Sequence, residues 1–285
     1  MLKKTILDNF VPQDFRRWLR RQKGQIRDFL FPFEPYVVTH STGGYEFKVH
    51  IADSMAESWY TQGKSDASRP LKPELALLKK HSLKPGALVF NLGAHQGVIA
   101  TLLTKIVGPT GEVVAVEATP RNAEIGKKNR DINELENLQI VNAAISDTPG
   151  ETEFLPFGNG RVSEKGGELA SVKVKALTVD DFAAEYGSPD VLFLDIEGFE
   201  LHALRGAENV LESRPDCFVE VHTGCGLEEY GNSVHEIIAV FKNLNYSIFV
   251  ASVSGDEPQT FEPLDSVSLP TNRFFMIALG NLATE

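Results

Sequence analysis

The chain reads as an α/β protein with a mostly parallel sheet, and two observations carry that reading. From residue 87 onward, short and nearly continuous apolar runs alternate with helical stretches: Ala87–Asn91, Val98–Val107, Glu112–Val116, Pro120–Glu134 and Leu138–Ala144. Strands without polar alternation are buried on both faces, the pattern of a parallel sheet covered by helices. The punctuation agrees, because turn residues such as Gly108-Pro-Thr-Gly111 separate the runs. The pattern continues through strand-like Val172–Ala176, Val191–Asp195, Cys217–His222, Tyr246–Ser252 and Arg273–Leu279, with helices over Phe199–Leu211 and Ser233–Leu244.

Ahead of this core, residues 1–71 read as an extension and residues 72–285 as the main domain. Residues 13–30 form a basic amphipathic pattern, with Phe15, Trp18, Leu19, Ile26, Phe29 and Leu30 at helical spacing. Packing on the main domain or a partner is favoured for it over docking to a membrane or polyanion, because Gly24 weakens the stripe. Tyr36–His40 and Tyr45–Ile51 flank Ser41-Thr-Gly-Gly44 and predict a β-hairpin. Gly63–Arg69 reads as a loop and Pro73–Leu83 as a helix leading into the core.

Composition narrows the function classes. The formal charge is −11, yet residues 1–30 hold eight Lys/Arg against three Asp/Glu, so the body is strongly acidic. An acidic body lacks the basic face of a nucleic-acid binder, and no nucleic-acid partner is expected. No apolar run approaches the roughly 20 residues of a membrane span, and no secretory signal is read at the start. Cys217 and Cys225 are the only cysteines; they form no motif and fit a reducing, cytoplasmic setting. The oligomeric state stays open, a homo-oligomer included.

The strongest local signal is Val89-Phe-Asn-Leu-Gly-Ala-His-Gln-Gly97. A strand ends at Asn91, a glycine turn follows, and a helix starts near Gly97. Gly93 is expected to let the backbone pass close to a ligand, and the helix N-terminus presents free N–H groups. The G-x-x-x-G spacing differs from the G-x-G-x-x-G of dinucleotide binders, which counts against a nicotinamide-dependent oxidoreductase. Glu117 ends the next strand about twenty residues on, where a carboxylate can accept both hydrogens of a ribose diol. Asn142-Ala-Ala-Ile-Ser-Asp147 follows the third strand; Ala144 leaves room for a flat ring, and Ser146 or Asp147 can meet its exocyclic amine.

Taken in order, Phe90–Gly97, Val116-Glu-Ala-Thr-Pro120, Asn142–Asp147 and Asp195-Ile-Glu-Gly-Phe-Glu-Leu-His-Ala-Leu-Arg-Gly-Ala207 resemble successive motifs of the FkbM family of S-adenosylmethionine-dependent methyltransferases. The resemblance spans roughly residues 72–250. It implies a Rossmann-like class I methyltransferase fold, a seven-stranded sheet with one antiparallel strand near the C-terminus. It implies S-adenosylmethionine as cofactor, and O-methylation of sugars or other small metabolites. The cofactor pocket then comprises Asn91, Gly93, Ala94, His95, Gly97, Glu117, Ala144, Ser146 and Asp195. The family usually carries Asp at position 91 and Asn at position 95. Asn91 can still orient the glycine loop, and the bulkier His95 can contact the methionine end or the acceptor.

Chemistry is expected beyond the carboxyl ends of the strands. Asp195 stands at the pocket floor. Glu220 and His222 alternate on one strand and so share a face, with His222 the candidate general base. Glu200 reads as a solvated helix residue and His202 as structural. No dedicated metal motif is present, so no metal ligands are assigned, although Asp195, Glu197, Glu220 and His222 together can also hold a divalent ion. Pro156–Gly167 suits a lid, with Arg161 and Lys165 available for an anionic group, and Trp59 and Tyr60 can stack on a sugar. A methyltransferase-like protein that has lost catalysis is the remaining alternative.

Overall fold

The computed structural model describes residues 33–61, 70–156, 160–163, 171–254, 257–258 and 260–280. The amphipathic pattern at 13–30, the loop at 63–69 and most of the lid segment lie outside them. Fifteen strands and eight helices are described. A hairpin of β1 (Tyr36–Thr42) and β2 (Tyr45–Ile51) leads to α1 (Ser54–Tyr60) and α2 (Pro73–Lys80). The main domain follows as β3 (Leu88–Leu92), α3 (Val98–Val107), β4 (Glu112–Glu117), α4 (Pro120–Ile132) and β5 (Leu138–Asn142). Next come β6 (Ala144–Ile145), β7 (Gly150–Leu155), β8 (Arg161–Val162), β9 (Val172–Leu177) and α5 (Val179–Tyr186). The chain continues as β10 (Val191–Leu194), α6 (Glu200–Arg205), α7 (Glu208–Glu212), β11 (Asp216–Val221), α8 (Val234–Asn243) and β12 (Ser247–Ser254). It closes with β13 (Glu257–Pro258), β14 (Glu262–Pro263) and β15 (Phe274–Leu279).

Seven strands form the expected sheet in the order β5-β4-β3-β10-β11-β15-β12, and β13 and β14 add short pairings at its edge. Strands β5, β4, β3, β10 and β11 are mutually parallel. Strand β15 inserts antiparallel between β11 and β12. The order reverses between β3 and β10, so the loops leaving these two strands diverge and open a crevice at their carboxyl ends. One hydrophobic cluster covers each face. Phe90, Leu92, Val114 and Val116 point to the α6–α8 side, whereas Val89, Val113, Ala115 and Phe193 point to the α3 and hairpin side.

Three sequence expectations change. The strand predicted over Leu138–Ala144 breaks after Asn142, because β6 leaves to pair with β9 in a separate four-stranded sheet. The helix predicted over Phe199–Leu211 breaks at Gly206-Ala207. A Cβ on Gly206 would stand 2.3 Å from the Ser146 carbonyl, so this glycine is where the helix touches the loop after β6. Helix α5 is additional; Thr178 and Asp181 form its capping box, a signal present in the sequence but overshadowed by the neighbouring strands.

The hairpin packs into the same cluster as α3, through Phe47, Val49 and Ile51. Its outer backbone is satisfied by α4: His50 N donates to Asn129 Oδ1 at 2.7 Å and Lys48 N to Asn133 Oδ1 at 2.8 Å. Asp53 then ties three elements together. Its Oδ1 accepts from Ala56 N as the N-cap of α1, and its Oδ2 accepts from Gln96 Nε2 and Arg121 Nη1. Burial pushes the Asp53 carboxyl up, but these donors outweigh it and hold the pKa below the ordinary value. Asp53→Ala removes a cap and leaves the buried Gln96 amide unpaired, a loss of about 2–3 kcal/mol; half-exposed Arg121 adds little. Urea denaturation at pH 7 should show that loss. The difference should shrink as pH falls through the depressed carboxyl pKa, where wild-type Asp53 itself becomes protonated.

Candidate active site

A cavity of about 650 Å³ occupies the crevice at the carboxyl ends of β3, β4, β10 and β11, within the usual range of ligand sites. Among the predicted residues, Asn91, Gly93, Ala94, His95, Glu117, Ala144, Asp195 and Glu220 line it, whereas Gly97, Ser146 and His222 lie outside the lining. Gly97 has φ +73° and begins α3, with its Cα side set against Gly126 of α4. Ser146 Oγ turns to Asp147 Oδ1 at 3.3 Å. His222 stands behind the acidic wall, 2% exposed.

Gly93 is needed for a different contact from the one expected. Its φ is +87°, and a Cβ there would stand 1.8 Å from the Asp195 carbonyl oxygen. The space that must stay clear is therefore that of the loop leaving β10, and the close crossing of two backbones brings the glycine loop against Asp195. Asp195 N also donates to Leu92 O at 3.0 Å.

Glu117 is held by backbone donors on both sides. Its Oε2 accepts from His95 N at 2.8 Å and its Oε1 from Thr119 N at 2.7 Å. Burial raises its pKa to about 7, against the pull of these hydrogen bonds. A buried carboxylate with lone pairs to spare calls for further donors, and a vicinal diol supplies two. Beyond Glu117 the lining is apolar, with Ala118, Ala143, Ala144, Ile145, Phe154 and Val162, a slot suited to a flat heteroaromatic ring.

The lining also holds two buried side-chain atoms that lack hydrogen-bond partners, Asn91 Oδ1 and His95 Nε2. Burial lowers the His95 pKa to about 4, so the ring is neutral at pH 7. The Tyr60 hydroxyl lies 2.8 Å from Nδ1; in the tautomer where that hydroxyl donates, Nε2 carries the proton. An acceptor and a donor thus await a ligand bearing an ammonium and a carboxylate, which is how an amino-acid group presents itself. An apolar slot, a carboxylate open to a diol and an acceptor–donor pair, all lining one cavity, fit the adenine, ribose and amino-acid parts of S-adenosylmethionine. His95 has φ +49°, a left-handed conformation kept where the surroundings demand it. Trp59 lies against the same ring, 5.2 Å between centroids.

The acidic wall centres on His222. Its Nδ1 lies 2.8 Å from Glu200 Oε1, and its Nε2 lies 3.6–3.7 Å from Glu197 Oε2, Asp195 Oδ1 and Glu220 Oε1. Burial pulls the His222 pKa down, but the Glu200 hydrogen bond and the surrounding carboxylates dominate and hold it at about 11. Burial and the neighbouring Glu220 carboxylate hold Asp195 well above the usual carboxylate range. Burial likewise raises Glu220, although His222 and Arg273 pull it down; Arg273 Nη1 lies 3.0 Å from Glu220 Oε1.

Two expectations are corrected here. Glu200 is fully buried rather than solvated; its Oε1 also accepts from Gly198 N at 2.8 Å, which folds the turn after β10 back onto the helix start. Arg161 is engaged by Glu229 at 2.5 Å, while Lys165 lies outside the described residues. His202 is structural as expected, stacked on Phe199 with 3.9 Å between centroids. Sequence reasoning missed Arg273 and Asp53. Arg273 directly precedes β15, and only the antiparallel insertion of that strand carries it to Glu220.

The family model described as the methyltransferase FkbM domain matches residues 91–248, more than half of the chain. The hexuronic acid methyltransferase AglP of Haloferax volcanii is 24% identical over 216 residues, covering 73% of this chain and 81% of that protein. Among solved structures, methyltransferase FkbM from Methylobacillus flagellatus is 13% identical with a TM-score of 0.46; the match covers 68% of this chain but only 43% of that one. A SAM-dependent methyltransferase from Aquifex aeolicus is 16% identical with a TM-score of 0.43, covering 73% and 89%. With the family model spanning both the glycine loop and the acidic wall, the chain belongs to the methyltransferase FkbM domain family and is an S-adenosylmethionine-dependent methyltransferase.

Proposed function

We propose that this protein O-methylates a hydroxyl of a saccharide or a similar small metabolite in the cytoplasm, with residues 72–285 carrying the transferase and residues 1–71 helping to enclose the acceptor. One observation carries the reading: a single cavity runs from the Glu117 and Ala144 end to the Asp195 and Glu220 wall, roofed by Trp59 and Tyr60. Aromatic faces beside carboxylates suit sugars, which present C–H faces and hydroxyl edges. The name of the Haloferax relative, a hexuronic acid methyltransferase, supports a sugar acceptor. Among the described residues no helix is long and apolar enough to cross a membrane. Both cysteines are free thiols, in keeping with a reducing compartment.

S-adenosylmethionine supplies the methyl group from its sulfonium and leaves as S-adenosylhomocysteine. Glu117 would hold the ribose diol, Asn91 and His95 the amino-acid end, and the slot around Ala144 the adenine. The acceptor oxygen forms its bond to the methyl carbon as the carbon–sulfur bond breaks, the bonding pair passing to sulfur. Alignment of the two reactants is the main service required of the protein. His222 was the expected base, but as an imidazolium it has no lone pair to receive a proton. Asp195, raised by its neighbours and facing the cavity, takes the hydroxyl proton instead.

Transfer of tritiated methyl from S-adenosylmethionine into cell-extract fractions should label a saccharide fraction. Label confined to protein or absent altogether would count against the reading. The pocket has its own pH signature. The Glu117 carboxylate accepts both ribose hydroxyls, whereas its protonated form does not, so S-adenosylhomocysteine should bind about tenfold more tightly at pH 8 than at pH 6. Calorimetry at the two pH values should show this, and Glu117→Gln should weaken binding and flatten the profile. The Gln variant is preferable to Ala, which would also orphan the buried His95 and Thr119 N–H groups.

A further inference from the structure

The geometry points to a divalent-cation site formed by Asp195, Glu220 and His222 at the acceptor end of the cavity, selective for an ion that accepts nitrogen as well as oxygen, such as Mn²⁺ or Zn²⁺. One ligand atom from each of the three residues lies within 4.8 Å of the others. Acidic groups often cluster without any ion, so the argument rests on His222. Its side chain is 2% exposed, and Nε2 has no hydrogen-bond partner although it faces Asp195, Glu197 and Glu220. The three carboxylate oxygens stand 3.6–3.7 Å from Nε2. That is too long for hydrogen bonds. Donor atoms around an ion bound at roughly 2.0–2.2 Å stand about 3–3.5 Å apart, so a small inward shift would close the shell.

The opposite side of the ring is built to match. Glu200, fully buried, sits 2.8 Å from His222 Nδ1. A carboxylate on the far nitrogen holds the Nδ1 proton, so an ion arriving at Nε2 displaces only the proton there. Glu200 is itself held by Gly198 N, and Arg273 holds Glu220 from the other side. Four carboxylates, from Asp195, Glu197, Glu200 and Glu220, share this wall with the Arg273 guanidinium and the His222 imidazole, and a divalent ion would offset much of their repulsion. The mixed donor set argues against Mg²⁺, which prefers oxygen and water.

The site deepens the methyl-transfer reading and rests on it for its role. An acceptor hydroxyl completing the ion's shell would be oriented and made more acidic. Asp195 would bind through Oδ1 and keep its second oxygen for the released proton.

The test uses the full chain, freed of metal by EDTA and dialysed into chelator-free buffer. Mn²⁺ is titrated in without nucleotide and followed by the electron paramagnetic resonance signal of the free ion. A single saturable equivalent is expected, displaced by Zn²⁺ and weakened at least about tenfold in both His222→Gln and Asp195→Asn. Melting temperatures would confirm that both variants fold. Wild-type protein that binds Mn²⁺ and Zn²⁺ no better than the variants would overturn the site and leave a self-neutralised imidazolium cluster. S-adenosylhomocysteine binding to the metal-free protein separates the two claims. If it persists with its Glu117-dependent pH profile while Mn²⁺ fails to bind, only the metal site falls. Loss of nucleotide binding with Mn²⁺ still bound would instead remove the cofactor reading.

Discussion

The contact between the Gly93 backbone and the Asp195 carbonyl sets the geometry of the whole site. Two parallel strands, β3 and β10, leave the sheet side by side at the point where strand order reverses, and their loops must cross before diverging. They can cross at this separation only because one of them has no side chain at the crossing. On the proposed reading Asn91 and His95, which meet the amino-acid end of the methyl donor, hang from one loop, and Asp195, which faces the acceptor, hangs from the other. The distance between donor and acceptor chemistry is thus fixed by backbone, which is stiffer than any pair of side chains.

Around that crossing, buried polar groups are satisfied mostly by main chain. Glu117 takes N–H groups from residues 95 and 119, Glu200 takes one from residue 198, and Asp53 caps α1 at Ala56. Each carboxylate therefore fixes a turn, and Glu117 lines the cavity as well. Left-handed residues fall at the same places, with φ +49° at His95 and +57° at Glu197. Non-glycine residues pay a steric penalty in that region, and here they sit on the two loops that meet.

Much of this was legible beforehand because it follows local rules. Apolar runs bounded by turn residues marked each strand of the main sheet, together with Val172–Ala176 outside it, and the interval between the glycine turn and Glu117 placed that carboxylate in the cavity. The alternation of Glu220 and His222 placed both on the acidic wall. What escaped notice depends on contacts between residues far apart in sequence. Burial of Glu200 follows from the turn at Gly198, whose Cβ would run into Gly226. Arg273 reaches Glu220 through an antiparallel register that no local pattern encodes. The protonation of His222 follows from the number of carboxylates converging on it, and three of those four come from a different segment of the chain.

The roof of the cavity is contributed by α1, which precedes the sheet in sequence and is tied to it chiefly through Asp53, Gln96 and Arg121. Trp59 and Tyr60 thus reach the cavity from a stretch of chain that precedes the sheet, whereas Asp195, Glu220 and Arg273 line it from the main domain. On the proposed reading, change in the leading segment would alter contacts to the acceptor while the loops of the sheet stay in place. This arrangement also marks the hairpin and α1 as the natural cassette for grafting new acceptor preferences onto this transferase.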